Sequence, residues 1–251
     1  MDSQDDDQVK MFESPNDDKK NSIDSPSHDP IKSVDEFYEN CYEHWAKVPP
    51  TLNGVLDGLS HISCTDISGS EEFLEKLYKM PFHPGRSRAL DCGAGIGRVT
   101  KYLLSKFFEK VDLVEQNPKF IEEAKNMLGS VPRVEKFICV GLQNFVPDLE
   151  GPKYDVIWIQ WVLQNVVDED ILKFFENCKK ILDDRGIIVL KENVTSTEEN
   201  DIDPTDFTIT RATRSYHKLF EAAKFKCIRT KIQRKFPKEL YAVQMFAIKP
   251  K

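Results

Sequence analysis

No CxxC pair occurs in these 251 residues. No apolar run approaches the roughly 20 residues that a membrane-crossing helix needs. The first residues are acidic and polar, without the apolar core of a secretion signal or the arginine-rich pattern of a transit peptide. A basic excess is also missing. The formal charge is −7, and residues 1–33 hold nine acids against four lysines. The remainder, with 33 acids and 31 bases, is close to neutral and offers no broad face for a phosphate backbone. These absences argue against a metal centre, a membrane protein and a direct nucleic-acid binder. Six scattered cysteines (Cys41, Cys64, Cys92, Cys139, Cys178, Cys227) read as reduced thiols. A reducing compartment is expected, with the nucleus and cytoplasm as its candidates.

What is present falls into three stretches. Residues 1–33 are rich in Asp, Ser, Pro and Lys and poor in large apolar groups, so they predict a disordered acidic tail. Order is expected from Ser33, where Ser33 and Glu36 make an S-x-x-E capping box ahead of Phe37, Cys41, Tyr42 and Trp45 at helical spacing. Pro49 and Pro50 stop that helix. A second helix is predicted over Glu71–Met80, with Ser70 as its N-cap. Residues 34–85 therefore read as an N-terminal helical extension.

From Arg88 strands alternate with helices. Strands are predicted at Ala89–Cys92, Val111–Val114, Lys136–Val140, Tyr154–Ile159 and Gly186–Leu190. Helices are expected through Leu103–Leu104, at Lys119–Leu128 and at Asp170–Leu182. After Asn193 a polar loop leads to a helix near Ile209–Ala223, then to closing strands near Cys227–Ile232 and Tyr241–Ile248. Such alternation means parallel strands with right-handed crossovers, that is, an α/β doubly wound sheet over residues 86–251. There is no internal repeat.

The strongest local signal is Asp91-Cys92-Gly93-Ala94-Gly95-Ile96-Gly97-Arg98, between the first parallel strand and its helix. Glycines there let the chain turn sharply and approach a ligand. A dinucleotide fingerprint is G-x-G-x-x-G, whereas these glycines run G-x-G-x-G and Arg98 follows. Glu115 ends the second strand about 20 residues on, where an acid can accept hydrogen bonds from ribose hydroxyls. Each feature alone also fits a tight turn with no ligand, and a nicotinamide cofactor remains an alternative on these residues.

The glycine turn with its upstream acid resembles motif I of class I methyltransferases. The match extends to Trp45–Thr51 (WAKVPPT), His61-Ile62-Ser63, Leu90–Arg98 (LDCGAGIGR), Gly141-Leu142-Gln143, Asp155–Val162 (DVIWIQWV) and Gly186–Asn193 (GIIVLKEN). Together these segments closely resemble the eukaryotic α-N-terminal protein methyltransferases, over about residues 36–249. The resemblance implies a Rossmann-like, mostly parallel seven-stranded sheet, with the helical extension contributing to a substrate channel. It implies S-adenosyl-L-methionine as cofactor and, as substrates, proteins that expose X-Pro-Lys N-termini after loss of Met, with X as Ala, Ser, Pro or Gly. Carried over by position, cofactor contacts would come from Gly93, Arg98, Glu115, Gln116, Leu142, Gln143 and Gln160. The substrate channel would involve Trp45, Leu56, Ile62, Trp161, Asn193, Asp203, Asp206, Leu240 and Tyr241. One position departs. The family has a histidine four residues after the second Trp of WIQW, held to take part in deprotonating the substrate amine, and here it is Asn165.

A free α-amino group has a pKa near 8, so at neutral pH most of it is protonated and carries no lone pair for attack. A proton acceptor or a path to water is needed. Asn165 cannot be a base, which leaves the acids after Asn193: Glu198, Glu199, Asp201, Asp203 and Asp206. On composition alone these form a solvated acidic loop. The resemblance makes Asp206 the candidate base and Asp203 the partner of a cationic third substrate residue. Asn193 and Asn165 complete the expected catalytic set. Trp45 and Trp161 read either as core or as aromatic faces for an amine or a proline. His61 has no expected catalytic role. Two other readings stay open: a methyltransferase for another amine, and a non-catalytic module that recognises N-terminal tails.

Overall fold

The structure is a computed structural model, and it describes residues 33–251. The expectation of a disordered tail falls on residues 1–32 and lies outside the described residues. Ser33 caps helix α1 (Val34–Lys47), its hydroxyl accepting from the Glu36 amide at 3.0 Å. The helix ends at Val48, before the proline pair. A short α2 (Leu52–Val55) follows, then α3 (Ser63–Tyr78). This third helix starts seven residues before the predicted N-cap. Ser70 is a buried interior residue whose hydroxyl bonds back to the Asp66 carbonyl at 3.1 Å. Such back-bonding is how serine is accommodated inside a helix, so Ser70 stands in the interior of α3 and is not its cap.

The strands are β1 (Arg88–Cys92), β2 (Lys110–Glu115), β3 (Val134–Cys139), β4 (Tyr154–Gln160) and β5 (Leu182–Val194). The helices α4 (Ser105–Phe107), α5 (Pro118–Leu128) and α6 (Asp168–Ile181) lie between them, and a π-helical turn, Thr100–Leu104, leads into α4. A hairpin of β6 (Asp201–Asp203) and β7 (Thr208–Thr210) occupies the stretch expected to be polar loop. The predicted helix near Ile209 is α7 (Thr213–Ala222), because Ile209 and Thr210 belong to β7. Strands β8 (Phe225–Ile232) and β9 (Ala242–Pro250) close the chain.

The seven-stranded sheet has the order β3-β2-β1-β4-β5-β9-β8, parallel from β3 to β5 and antiparallel at β9 and β8. It is the doubly wound class I methyltransferase arrangement expected from the sequence. Every residue of β4 is buried. Its side chains alternate between the two cores, as a central strand requires. Ile157 and Ile159 pack with Phe174, Phe175 and Phe220 of α6 and α7. Val156 and Trp158 pack with Phe73, Leu74 and Leu77 of α3. The N-terminal extension is thus half of a core, with α3 sealing one face of the sheet. A smaller cluster joins Phe37 and Cys41 of α1 to Val167 and Ile209, with Ile202 and Phe207 against it. That contact seats the hairpin beneath α1.

Candidate active site

The chain runs outward from β1 through β2 to β3, then returns to place β4 on the other side of β1. The carboxyl ends of β1 and β4 therefore flank a crevice, the usual place for a ligand in such sheets. At the end of β1, Gly93 has φ +69°, and a Cβ there would stand 2.5 Å from that of Val162. Only glycine permits both this backbone and this approach. Gly95, with φ +55°, has nothing nearer than Val55 at 3.6 Å on its open side, which faces the crevice.

A cavity of about 900 Å³, its open mouth included, fills the crevice. Of the predicted residues, Gly93, Arg98, Glu115, Gln116, Leu142, Gln143 and Gln160 line it, together with Trp45, Leu56, Trp161 and Asn165. All seven expected cofactor residues thus share one space. Glu115 is buried and accepts from the Gly95 amide at 2.9 Å and the Asn117 amide at 2.8 Å, one bond to each carboxylate oxygen. Burial pushes its pKa up, against the pull of these amides.

Two aromatic residues, Trp161 and Trp45, also line the cavity. Trp161 adopts φ +52°, unusual for a bulky residue, with the Arg98 guanidinium 5.6 Å from its ring centre and Phe236 at 6.5 Å. Its indole N–H is buried with no partner among the described residues. The Trp45 indole N–H donates to Asn165 Oδ1 at 3.2 Å. The Asn165 Nδ2 donates to the Phe207 carbonyl at 3.1 Å and reaches Cys41 Sγ at 3.6 Å. Asn165 is therefore a bridge between α1 and the hairpin, and both amide hydrogens are engaged.

Six predicted residues lie outside the cavity lining. Ile62 is buried at the start of α3. Asn193 is half-buried on β5, opposite Val243. Asp203 is exposed at the end of β6, and the Thr205 amide and hydroxyl hold its carboxyl below the usual range. Asp206 is half-buried in the hairpin turn and accepts from Thr208 Oγ1 at 2.6 Å. Tyr241 donates its hydroxyl to Asp201, which raises the phenol to about 12. Leu240 precedes it, half-buried in the β8–β9 loop. His61 is exposed.

Sequence reasoning left out three acids. Asp91 lines the cavity and is buried at the end of β1, where Thr100 donates to it from its amide at 3.0 Å and its hydroxyl at 2.6 Å. Burial pushes its carboxyl up to about 6. Its place directly before the glycine turn was the available signal. Glu192, on β5, is buried and accepts from the Val162 and Leu163 amides, both at 3.0 Å, while its second oxygen has no partner among the described residues. Burial pushes it up to about 7. It holds the backbone just beyond Trp161. Asp66, from the first turn of α3, is buried against Arg98 and Gln160. Among the described residues no cluster of His, Cys, Asp or Glu is arranged to hold a metal ion.

The profile of a protein family described as AdoMet dependent proline di-methyltransferase matches residues 33–249. The chain belongs to this family. Among known relatives, an alpha N-terminal protein methyltransferase 1 from Drosophila melanogaster is 42% identical over 219 residues, 86% of this chain and 77% of the fly protein. The N-terminal Xaa-Pro-Lys N-methyltransferase 1 of Homo sapiens is 39% identical over 216 residues, 85% of this chain and 96% of the human protein. A solved S-adenosylmethionine-dependent methyltransferase from Leishmania major superposes with a TM-score of 0.78 at 37% identity, covering 85% of this chain and 83% of that one. The cavity beside β1 and β4 thus belongs to an S-adenosylmethionine-dependent methyltransferase.

Proposed function

We propose that this methyltransferase modifies the α-amino group of protein N-termini that begin X-Pro-Lys or X-Pro-Arg, with X as Ala, Ser, Pro or Gly. One observation carries the reading. The cavity that joins the glycine turn to Glu115 is also lined by Trp45 and Trp161, and Asn165 ties Trp45 to the acidic hairpin.

The residues present fit the cofactor. Asp91 and Arg98 offer one acid and one base to the two charges of an amino-acid group, and each Glu115 oxygen has one backbone donor and capacity for a hydroxyl. Val140, Leu142 and Phe120 supply apolar wall for an adenine. When bound, S-adenosylmethionine supplies an electrophilic methyl group. The protein's own task is to hold a neutral amine in line with it and to exclude water. Asp206 would take the amine's proton, directly or through water. Asp203, exposed on the hairpin, would pair with the third substrate side chain. Trp161 and Trp45 would flank the first two substrate residues. Free thiols throughout the described residues fit our further proposal of a nuclear and cytoplasmic location.

Incubation of the protein with S-adenosylmethionine and a Ser-Pro-Lys-Arg peptide, followed by mass spectrometry, tests the reading. Methylation on the N-terminal nitrogen supports it. Cofactor binding without turnover would favour a recognition module instead, and methylation at a side chain would move the acceptor.

A further inference from the structure

The cavity accounts for Arg98 and Gln160 but not for what aims them. Both lean on Asp66, which is fully buried on α3 and does not line the cavity. Asp66 Oδ2 accepts from Arg98 Nη1 at 2.7 Å, and both its oxygens accept from Gln160 Nε2 at 3.0 Å. The Trp158 indole N–H donates to Gln160 Oε1 at 3.1 Å, which fixes the direction of that amide. Behind Asp66 stands Lys191 of β5, also fully buried. Its ammonium lies 2.6 Å from Asp66 Oδ1 and donates to the Asp66 carbonyl, Ser70 Oγ and Gln233 Oε1 at 2.8–2.9 Å.

We propose that Asp66 is a positioning residue for the cofactor: its carboxylate fixes the Arg98 guanidinium and the Gln160 amide that face the amino-acid part of S-adenosylmethionine, and Lys191 is the counter-ion that completes it. The charges support this assignment. A lone buried carboxylate would be driven to its neutral form, yet two buried cations hold the Asp66 carboxyl below its ordinary range. Burial lowers the Lys191 ammonium to about 8, and the Asp66 carboxylate pulls against that lowering. An untethered Arg side chain has several rotamers. Tied to Asp66, with its face toward Trp161, it has one, and the ordering cost is met during folding and not during binding. The extension thus reaches the cofactor through α3 as well as the substrate mouth through α1. The inference rests on the cofactor assignment and is independent of which amine is methylated.

The test compares two ligands by calorimetry. S-adenosylhomocysteine carries the amino-acid group, whereas 5′-methylthioadenosine has the same nucleoside and thioether without it. Asp66→Asn should weaken S-adenosylhomocysteine by roughly tenfold or more, the range of one lost charge-assisted contact, and leave methylthioadenosine within about threefold. Because Asp66→Asn strands a buried lysine and lowers stability, the pair Asp66→Asn/Lys191→Met is measured alongside it. That double variant keeps the net charge of the cluster and should show the same selective loss. Unchanged S-adenosylhomocysteine affinity in either folded variant overturns the proposal. So does an equal loss of both ligands, which would mark Asp66 as a general support of the fold. Failure of the wild-type chain to bind S-adenosylhomocysteine would instead refute the cofactor assignment itself.

Discussion

Replacing Glu115 should damage cofactor binding in two ways that one experiment can separate. Each of its oxygens takes one backbone N–H, from Gly95 at 2.9 Å and from Asn117 at 2.8 Å. Each keeps a lone pair for a ribose hydroxyl. Glu115→Ala removes both of those ligand bonds and leaves the Gly95 amide unpaired at the crest of the glycine turn. Bonds to a charged acceptor contribute about 1.5–3 kcal/mol each, and part of that is offset by the cost of the carboxylate's burial. A net loss of about 2–4 kcal/mol follows, roughly 30- to 1,000-fold in Kd. Glu115→Gln is the sharper probe. Its single carbonyl can serve Gly95 or Asn117 but not both, and its NH₂ then points a donor at a donor. It should therefore lose nearly as much as alanine despite matching the shape. Calorimetry with S-adenosylhomocysteine reads both variants. A Gln variant that binds within about threefold of wild type would show that the carboxylate's charge and its two amide bonds do not hold the site.

An N-acetylated Ser-Pro-Lys-Arg peptide should not be methylated under conditions where the free peptide is, as mass spectrometry will read directly; equal methylation would refute the α-amine as acceptor. Removing residues 1–32 while keeping the Ser33 cap should leave melting temperature and turnover unchanged, and a fall in either would show that the tail packs on the body. Glu192 is raised to about 7 from 4.5, so its ionisation disfavours the fold: its contribution to stability falls as pH rises from the unfolded value through 7 and is flat above. Glu192→Gln keeps the oxygen that accepts from Val162 and Leu163, so it should raise stability at pH 8 by about 1–2 kcal/mol with little gain at pH 5. Thermal melts at the two pH values decide this, and a gain equal at both would exclude a titrating Glu192. Asp206→Asn should lower turnover by roughly 10²–10⁴-fold if it is the general base, and Asn165→Ala should cost less. A pH–rate series at saturating cofactor that finds the opposite order would reassign the proton's route.

The sheet was legible because its strands are apolar, short and separated by turn residues, and because Gly93-Ala94-Gly95 marks the end of one of them. The glycine turn, Glu115 and Gln160 were legible for a related reason: they sit at strand ends or in the turn, so order along the chain fixes their place in space, whereas Arg98, Gln116, Leu142 and Gln143 came from the family resemblance. The hairpin was not legible. Asp201-Ile202-Asp203 and Thr208-Ile209-Thr210 alternate in hydropathy, yet three residues give too few periods against an acidic background. Only the packing of Ile202, Ile209 and Phe207 beneath Phe37 and Cys41 selects strands there. Asp66 was hidden by the error in α3. With the helix begun at Ser70, Asp66 falls in a loop; with it begun at Ser63, Asp66 shares a face with Ser70, Phe73 and Leu77 and must be buried. A buried acid needs partners, and Arg98 and Lys191 come from β1's turn and from β5, distant in sequence.

The departure at Asn165 takes on a different sense once its neighbours are known. A neutral imidazole has one donor nitrogen and one acceptor nitrogen; a carboxamide has an acceptor oxygen and a donor nitrogen. Position 165 uses both kinds of atom, accepting from Trp45 of α1 and donating to the Phe207 carbonyl beside Asp206. Asparagine thus preserves the bipolar bridge that a histidine at this place would make and gives up only basicity. The surroundings ask little of that basicity: an acceptor atom already bound to the Trp45 N–H is not free to take a proton from an amine. What the position does in the structure is tie α1, which carries Trp45, to the hairpin, which carries Asp206. On this account asparagine at 165 serves as a bridge, and under the proposed mechanism proton removal would fall to Asp206, on the hairpin that the bridge holds.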